Sequence, residues 1–247
     1  MVSCHVERPL DDRVWAAFAA LQERRPGGLA IAALLRPPDA DAGERDDETW
    51  LRRAGEAAER GPLGHHTHFT SPTHARPTGG DPADRVRREG AWLAEQGVTA
   101  TLFCGGGWYT DARVARACAD LGYVDCTPRV SRPPYLAADA AWAELEGPAR
   151  VDVDGSTLCA VPTSHGAGDL MRALVRPGLP ARVHAYFHDT DLVEPRRRAL
   201  ITAALSLLGR RRPATTLDAV AAGARGDAPL VPWVDVARGT GAADLRA

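Results

Sequence analysis

At 247 residues, 45% hydrophobic and 25% charged, the chain has the make-up of a single soluble globular domain of barrel size. A net charge of −2 excludes the basic footprint of a nucleic-acid binder and the polybasic patch of a membrane-surface protein. All 30 basic residues are arginine, which excludes any chemistry that needs a lysine: a Schiff base, a lysine-bearing phosphate loop or a carbamylated metal bridge.

The opening Met1-Val-Ser-Cys-His lacks the basic and then apolar segments of a secretory leader. No apolar run approaches the ~20 residues of a membrane helix. The five cysteines (Cys4, Cys104, Cys118, Cys126, Cys159) are odd in number and form no Cys-x-x-Cys. Reduced thiols and a cytoplasmic location are therefore expected.

Val2–Glu7 reads as a strand with His5 and Glu7 on one face, because side chains alternate along an extended chain. Asp11–Arg24 is helical by the spacing of Val14, Ala17, Phe18 and Leu21, with Asp11-Asp12 as N-terminal charges. Leu29–Leu35 is apolar throughout, as in a strand buried on both faces. A Pro/Asp/Gly loop over 36–47 leads to a helix, Glu48–Arg60, and a strand, Gly61–Phe69.

Four of the eight histidines fall within Gly64–His74. Neutral imidazole is the commonest protein ligand for zinc. His66 and His68 share a face, and Pro72 ends the strand so that His74 returns on the following loop. The segment is read as a metal site.

A loop at Thr78–Pro82 precedes a helix, Asp84–Gln96, and a strand, Val98–Cys104. Cys104-Gly-Gly-Gly-Trp108 lacks the spacing and the Lys-Ser/Thr ending of a phosphate loop. Its glycines suit close backbone approach or a tight turn, with Cys104 facing a pocket and Trp108 as an apolar wall. Asp111–Leu121 is a helix and Tyr123–Cys126 a short strand. Thr127–Gly147 is irregular, with Pro133-Pro134-Tyr135 and one helix expected near Ala137–Glu146. Val151–Val153 and Thr157–Val161 are strands joined at Asp154-Gly155. His165 sits on a loop where it can line the same mouth. Gly168–Leu174 is a short helix, and Arg182–His188 a strand with His184, Tyr186 and His188 on one face. Asp189 and Asp191 follow His188, and a carboxylate beside an imidazole keeps it protonated, as a general acid requires. Helices at Glu194–Leu208 and Thr216–Ala222 complete the pattern, and the order of 226–247 is left uncertain.

Strands alternating with helices imply parallel strands, and seven or so repeats imply a barrel with its chemistry where strands end. The expectation is one α/β domain over 1–247.

Taken in order, these segments resemble the polysaccharide deacetylase family (carbohydrate esterase family 4). Ser3-Cys-His-Val-Glu7 stands where the family has a strand ending in acidic residues. Gly64-His65-His66-Thr67 is similar to its histidine motif. Leu102-Phe-Cys-Gly-Gly-Gly-Trp-Tyr109 and Leu121-Gly-Tyr-Val-Asp125 match its third motif in part, and Ala185-Tyr-Phe-His188 its last. The likeness covers roughly residues 2 to 223.

The resemblance implies a single distorted (β/α) barrel of about seven parallel strands, one divalent metal, usually zinc, and hydrolysis of an acetamide. The chain departs from the family in three places. His5 replaces the base aspartate. Cys104 replaces the arginine that holds that aspartate, so both members of an ion pair have changed together. Thr70 stands four residues after His66, where a second histidine is usual.

The expected activity is removal of an N-acetyl or related N-acyl group from a soluble sugar or sugar-containing metabolite, with no nucleic-acid or membrane partner. Glu7, His66 and His74 hold the metal, with His68 in reserve. His5 is the base, and His188 the acid with Asp191 beside it. Cys104, Trp108, Tyr109, Tyr135 and His165 line the substrate site. The alternatives are altered chemistry in the same barrel, as a one-metal amidohydrolase, isomerase or cyclase, or a catalytically silent carbohydrate-binding module.

Overall fold

The computed structural model describes residues 1–244. Strands and helices alternate at first: β1 (Val2–Val6), α1 (Asp12–Arg24), β2 (Ile31–Leu35), α2 (Asp47–Arg60), β3 (Leu63–Thr67), α3 (Pro82–Glu95), β4 (Leu102–Gly105), α4 (Ala112–Asp120) and β5 (Val124–Asp125). Each of these helices starts at an aspartate whose carboxylate accepts from free backbone N–H groups of the first turn: Asp11, Asp46, Asp81 and Asp111. The second half contains β6 (Trp142–Ala143), β7 (Ala149–Val153), β8 (Ser156–Ala160), β9 (His165–Gly166), α5 (Ala167–Leu174), β10 (Ala185–His188), α6 (Pro195–Arg211) and α7 (Leu217–Asp227).

The strands β5, β4, β3, β2, β1, β10 and β9 lie side by side, all parallel, and β8 runs parallel along the far edge of β5. One extended segment then joins the two edges. Val161 N–H donates to Asp125 O (2.9 Å) and Thr163 N–H to Pro128 O (2.8 Å), after which Ser164 and His165 donate to His184 O (3.0 and 3.2 Å). Residues 156–166 thus change partner midway, from β5 to β10. The result is an α/β fold whose parallel strands, eight with β8, curve into an incompletely closed ring.

Alternation sorts the side chains. Val2, Cys4 and Val6 of β1 pack outward with Trp15, Phe18 and Leu205 of the helices. Leu34, Leu102, Cys104, Val124 and Cys126 fill the interior with Trp108, and α7 adds Leu217, Ala221 and Ala224. Burying each such leucine contributes roughly 2 kcal/mol. Gly64 is set by this crowding: a Cβ there would lie 2.3 Å from Leu34 Cδ2 and 2.8 Å from the Leu102 Cβ.

Two sequence expectations change. The helix near Ala137–Glu146 is absent; that segment carries β6, which pairs antiparallel with β12 (Ala237–Arg238). The tail is ordered as far as it is described: β11 (Leu230–Pro232) pairs with β7, and α8 (Trp233–Val236) buries Trp233. Residues 245–247 lie outside the described residues. No described helix is long and apolar enough to cross a membrane, and all five cysteines are unpaired and buried.

Candidate metal centre

The histidine-bearing strand ends converge at one end of the ring. His5 of β1 is in register with His188 of β10, and His66 of β3 with Cys104 of β4. Just past β1 stands Glu7, and Asp189, fully buried, accepts from the next backbone N–H, that of Arg8 (2.9 Å), fixing the turn that presents it.

Three imidazoles surround the Glu7 carboxylate. From Glu7 Oε1 to Nε2 the distances are 3.2 Å for His68, 3.7 Å for His188 and 4.0 Å for His66. The other nitrogens are engaged. His66 Nδ1 lies 2.8 Å from Cys104 O, and His68 Nδ1 2.9 Å from Pro72 O. A carbonyl only accepts, so each Nδ1 carries the hydrogen and each Nε2 presents a lone pair. His66 Nε2 is buried and without a hydrogen-bond partner. Burial raises the Glu7 pKa, but the His68 contact and then the charge of His188 outweigh it and bring it down to about 2, so the carboxylate is ionised. Two lone pairs and a carboxylate, all within 4.8 Å of one another, form a set of acceptors short of a cation. Glu7, His66 and His68 are thus residues that could hold a divalent metal.

His74 is not part of this set. It is exposed, in a turn closed by its backbone pairing with Ser71. Pro72 O in that turn is the acceptor that orients His68, so the turn serves the site through its backbone and points His74 outward. His68, the reserve residue, stands in the set with Glu7 and His66 instead.

His5 is 3% exposed and lies between the rings of His66 (4.7 Å), His188 (5.1 Å), Trp108 (5.3 Å) and Tyr186 (5.4 Å). Its Nε2 has no partner. Burial, followed by the neighbouring histidines, lowers its pKa well below 6.5 and leaves it neutral. His188 has the opposite bias: burial opposes its charge, but Asp191, Glu7 and Asp189 prevail and raise its pKa. Asp191 lies 3.7 Å from His188 Nδ1, accepts from the His188 backbone N–H and is held by Arg197 at 2.8 Å.

The pocket residues separate. Cys104 is fully buried and shares an interior cluster with His5 and His66, polar atoms within 4.8 Å, so the residues standing for the family's base and arginine do adjoin. It packs inside the ring with Leu34, Leu102 and Trp108. Trp108 stands against His5 and Tyr186 and donates from Nε1 to Tyr135 Oη (2.6 Å). Tyr109 turns away: it packs on Phe69 under Arg76, and its hydroxyl donates to Asp111. His165 is tied to Ser164 Oγ (2.7 Å) and pairs in register with Ala185, three residues before His188. A cavity of about 250 Å³ opens beside the centre, lined by Gly166, Tyr186, His188, Asp191 and Arg197. A cleft of about 310 Å³ elsewhere, lined by Asp39, Arg85, Glu89 and Trp92, contains none of these histidines.

Arg129 is the residue that sequence reading missed. It is 5% exposed, with its guanidinium over the rings of Trp108 (4.4 Å) and Tyr186 (5.0 Å). It falls in the irregular Thr127–Gly147 segment, where nothing in the pattern of residues marks it.

No family model matches the chain, and no curated protein matches it in sequence. Among solved structures it is similar to the 4-alpha-glucanotransferase from Thermococcus litoralis, with a TM-score of 0.53 and 11% identity over 93% of this chain. The chain spans 38% of the length of that protein. At this identity the likeness is one of fold alone.

Proposed function

We propose that the chain is a metal-dependent hydrolase that removes an N-acetyl or related N-acyl group from a soluble sugar or sugar-containing metabolite. The observation that carries the metal is the convergence of Glu7, His66 and His68, with both Nδ1 hydrogens committed to carbonyls and both Nε2 lone pairs facing the carboxylate. A divalent cation held there supplies Lewis acidity toward an amide carbonyl and toward water.

The chain's own groups divide the proton work. His5, neutral and with an unpartnered Nε2, is the acceptor. His188, biased toward its charged form, donates to the leaving amine, and Asp191 orients it. The sugar rests on the family resemblance together with the exposed ring of Tyr135, joined by a hydrogen bond to Trp108 beside His5.

The test is metal analysis of the purified protein, joined to an assay for acetate and free amine released from N-acetylated sugars. About one zinc per chain is expected, with activity lost to a chelator and restored by zinc. A metal-free protein indifferent to added zinc, cobalt or nickel would sink the proposal. His5→Ala discriminates within it. Retained metal with lost turnover supports a base, whereas lost metal makes His5 a ligand.

A further inference from the structure

Arg129 is held in place from several sides. Its backbone N–H donates to Ala143 O (2.9 Å), and its carbonyl accepts from Leu145 (3.0 Å). Its guanidinium lies over both Trp108 and Tyr186, which pack edge to face and also flank His5. Trp108 takes a left-handed backbone conformation, φ 60°, to stand there, which is strained for a bulky residue.

This held cation lacks a counter-charge. Nη2 donates to a neutral carbonyl, Ser164 O (3.3 Å). Nε, with one N–H, and Nη1, with two, are buried without any acceptor. Among the described residues no ion pair includes Arg129. A buried, unpaired charge costs several kcal/mol, and stacking on aromatic faces returns roughly 2 of them. Structural arginines in this same chain are paired: Arg36 with Glu44 and Arg85 with Asp39 and Glu89. Arg129 packs on the two rings that flank His5, and among the buried arginines of the described residues it is the one without an ion pair.

We propose that Arg129 is the receptor for a carboxylate in this active site. The ligand class is an acidic N-acyl compound, an N-acylated amino acid or a carboxylated amino sugar, or else the carboxylate that amide hydrolysis itself releases. Both present two acceptor oxygens in a plane, and guanidinium is matched to that geometry. The inference rests on the reading of this ring end as the reacting site. It adds a fixed anion-recognition group that the interior of a neutral-sugar enzyme has no use for.

The test needs neither metal nor turnover. Chelator-treated protein is titrated calorimetrically with sodium acetate, N-acetylglycine and N-acetylglycinamide, which has the same amide but no charge. N-acetylglycine is expected to bind at least tenfold more tightly than the glycinamide. Arg129→Met should lower carboxylate affinity at least tenfold while its Tm stays at or above wild type, since an unpaired cation has been removed from the interior. If acetate binds as well as N-acetylglycine, the carboxylate recognised is the one released. If N-acetylglycine binds and acetate does not, it belongs to the substrate. Absence of carboxylate binding, equal binding of the glycinamide, or undiminished binding by Arg129→Met overturns the proposal. Should Arg129→Met fail to fold, Arg129→Lys serves in the same titration. It keeps the charge without the planar fork, so a tenfold loss supports the assignment and unchanged affinity overturns it. A chain that binds no zinc still answers this question, and a zinc enzyme that ignores carboxylates fails it alone.

Discussion

Neighbouring histidines of β3 serve two different regions. His65 points outward into a relay of hydrogen bonds and ion pairs: His65 Nε2 to Glu89 (2.9 Å), Glu89 to Arg85 (2.8 Å) and Arg85 to Asp39 (2.8 Å), with Thr67 Oγ1 also donating to Glu89 (2.7 Å). His66, one residue on, points inward to a set in which acceptor faces acceptor. In the outer region every charge meets its opposite, and only His65 Nδ1 is left without a partner. In the inner region the Nε2 of His66 has no hydrogen-bond partner, and Arg129 has no negative charge beside it. Burial alone does not separate structure from function here, since both regions are buried. Compensation does: the outer network is complete in itself, and the inner one is complete only with something bound.

Substitutions should separate the two regions. The largest effect belongs to the inner set: His68→Ala or Glu7→Gln should reduce zinc below about a tenth of an ion per chain and turnover by at least ~1,000-fold, with the fold retained by circular dichroism. Glu89→Ala should do the reverse. It takes one partner from each of Arg85 and His65, leaving them Asp39 and Thr67, and should cost about 3 kcal/mol in urea unfolding while zinc stoichiometry holds. If zinc is lost with it, the two regions are not separable.

His188→Gln should keep the metal and lower kcat by roughly 100-fold, the usual size of a lost general acid. The smallest effect is one of pH, at a third site. His184 is 1% exposed, with Nε2 3.0 Å from Ser3 Oγ, and burial followed by the chain's amino terminus lowers its pKa to about 3. Between about 6.5 and about 3 the unfolded chain binds a proton that the native one refuses, so stability falls as pH falls through that window. From pH 6.5 to pH 5 the loss should be on the order of 2 kcal/mol. His184→Gln should lose less over the same interval when urea midpoints are compared, and an unchanged slope would count against the assignment.

Where alternation governed, the sequence was legible. Leu29–Leu35 declared a strand buried on both faces, and His66 and His68 declared a shared face before any coordinates. His5, Glu7 and His188 could be brought together because a barrel gathers strand ends. The second histidine ligand was not decidable in this way. Whether the turn at Pro72 returns His74 or projects it depends on which carbonyl closes on His68, a backbone detail that residue types do not encode. The missing helix near Ala137–Glu146 has a similar cause: its apolar residues match helical spacing, but Trp142 and Ala143 pair with a segment nearly a hundred residues later. Arg129 was invisible because an arginine in an irregular stretch reads as surface, and only the burial of its Nε and Nη1 shows otherwise.

The pairing of β1 with β10 also bears on how the molecule is made. Arg8 and Asp189, which together set the turn behind Glu7, are 181 residues apart in the chain. Contacts of such separation form late, because their loop-closure entropy must be met before they return any stability. Strands β1 to β5 can assemble stepwise as they leave the ribosome, each beside the one before it. Glu7 would meet His68 in that partial sheet, but His188, Asp189 and Asp191 come only after most of the polypeptide has been synthesised. A growing chain could therefore capture a metal before it possesses the acid that uses it, so capture and catalysis would become competent at different moments of synthesis.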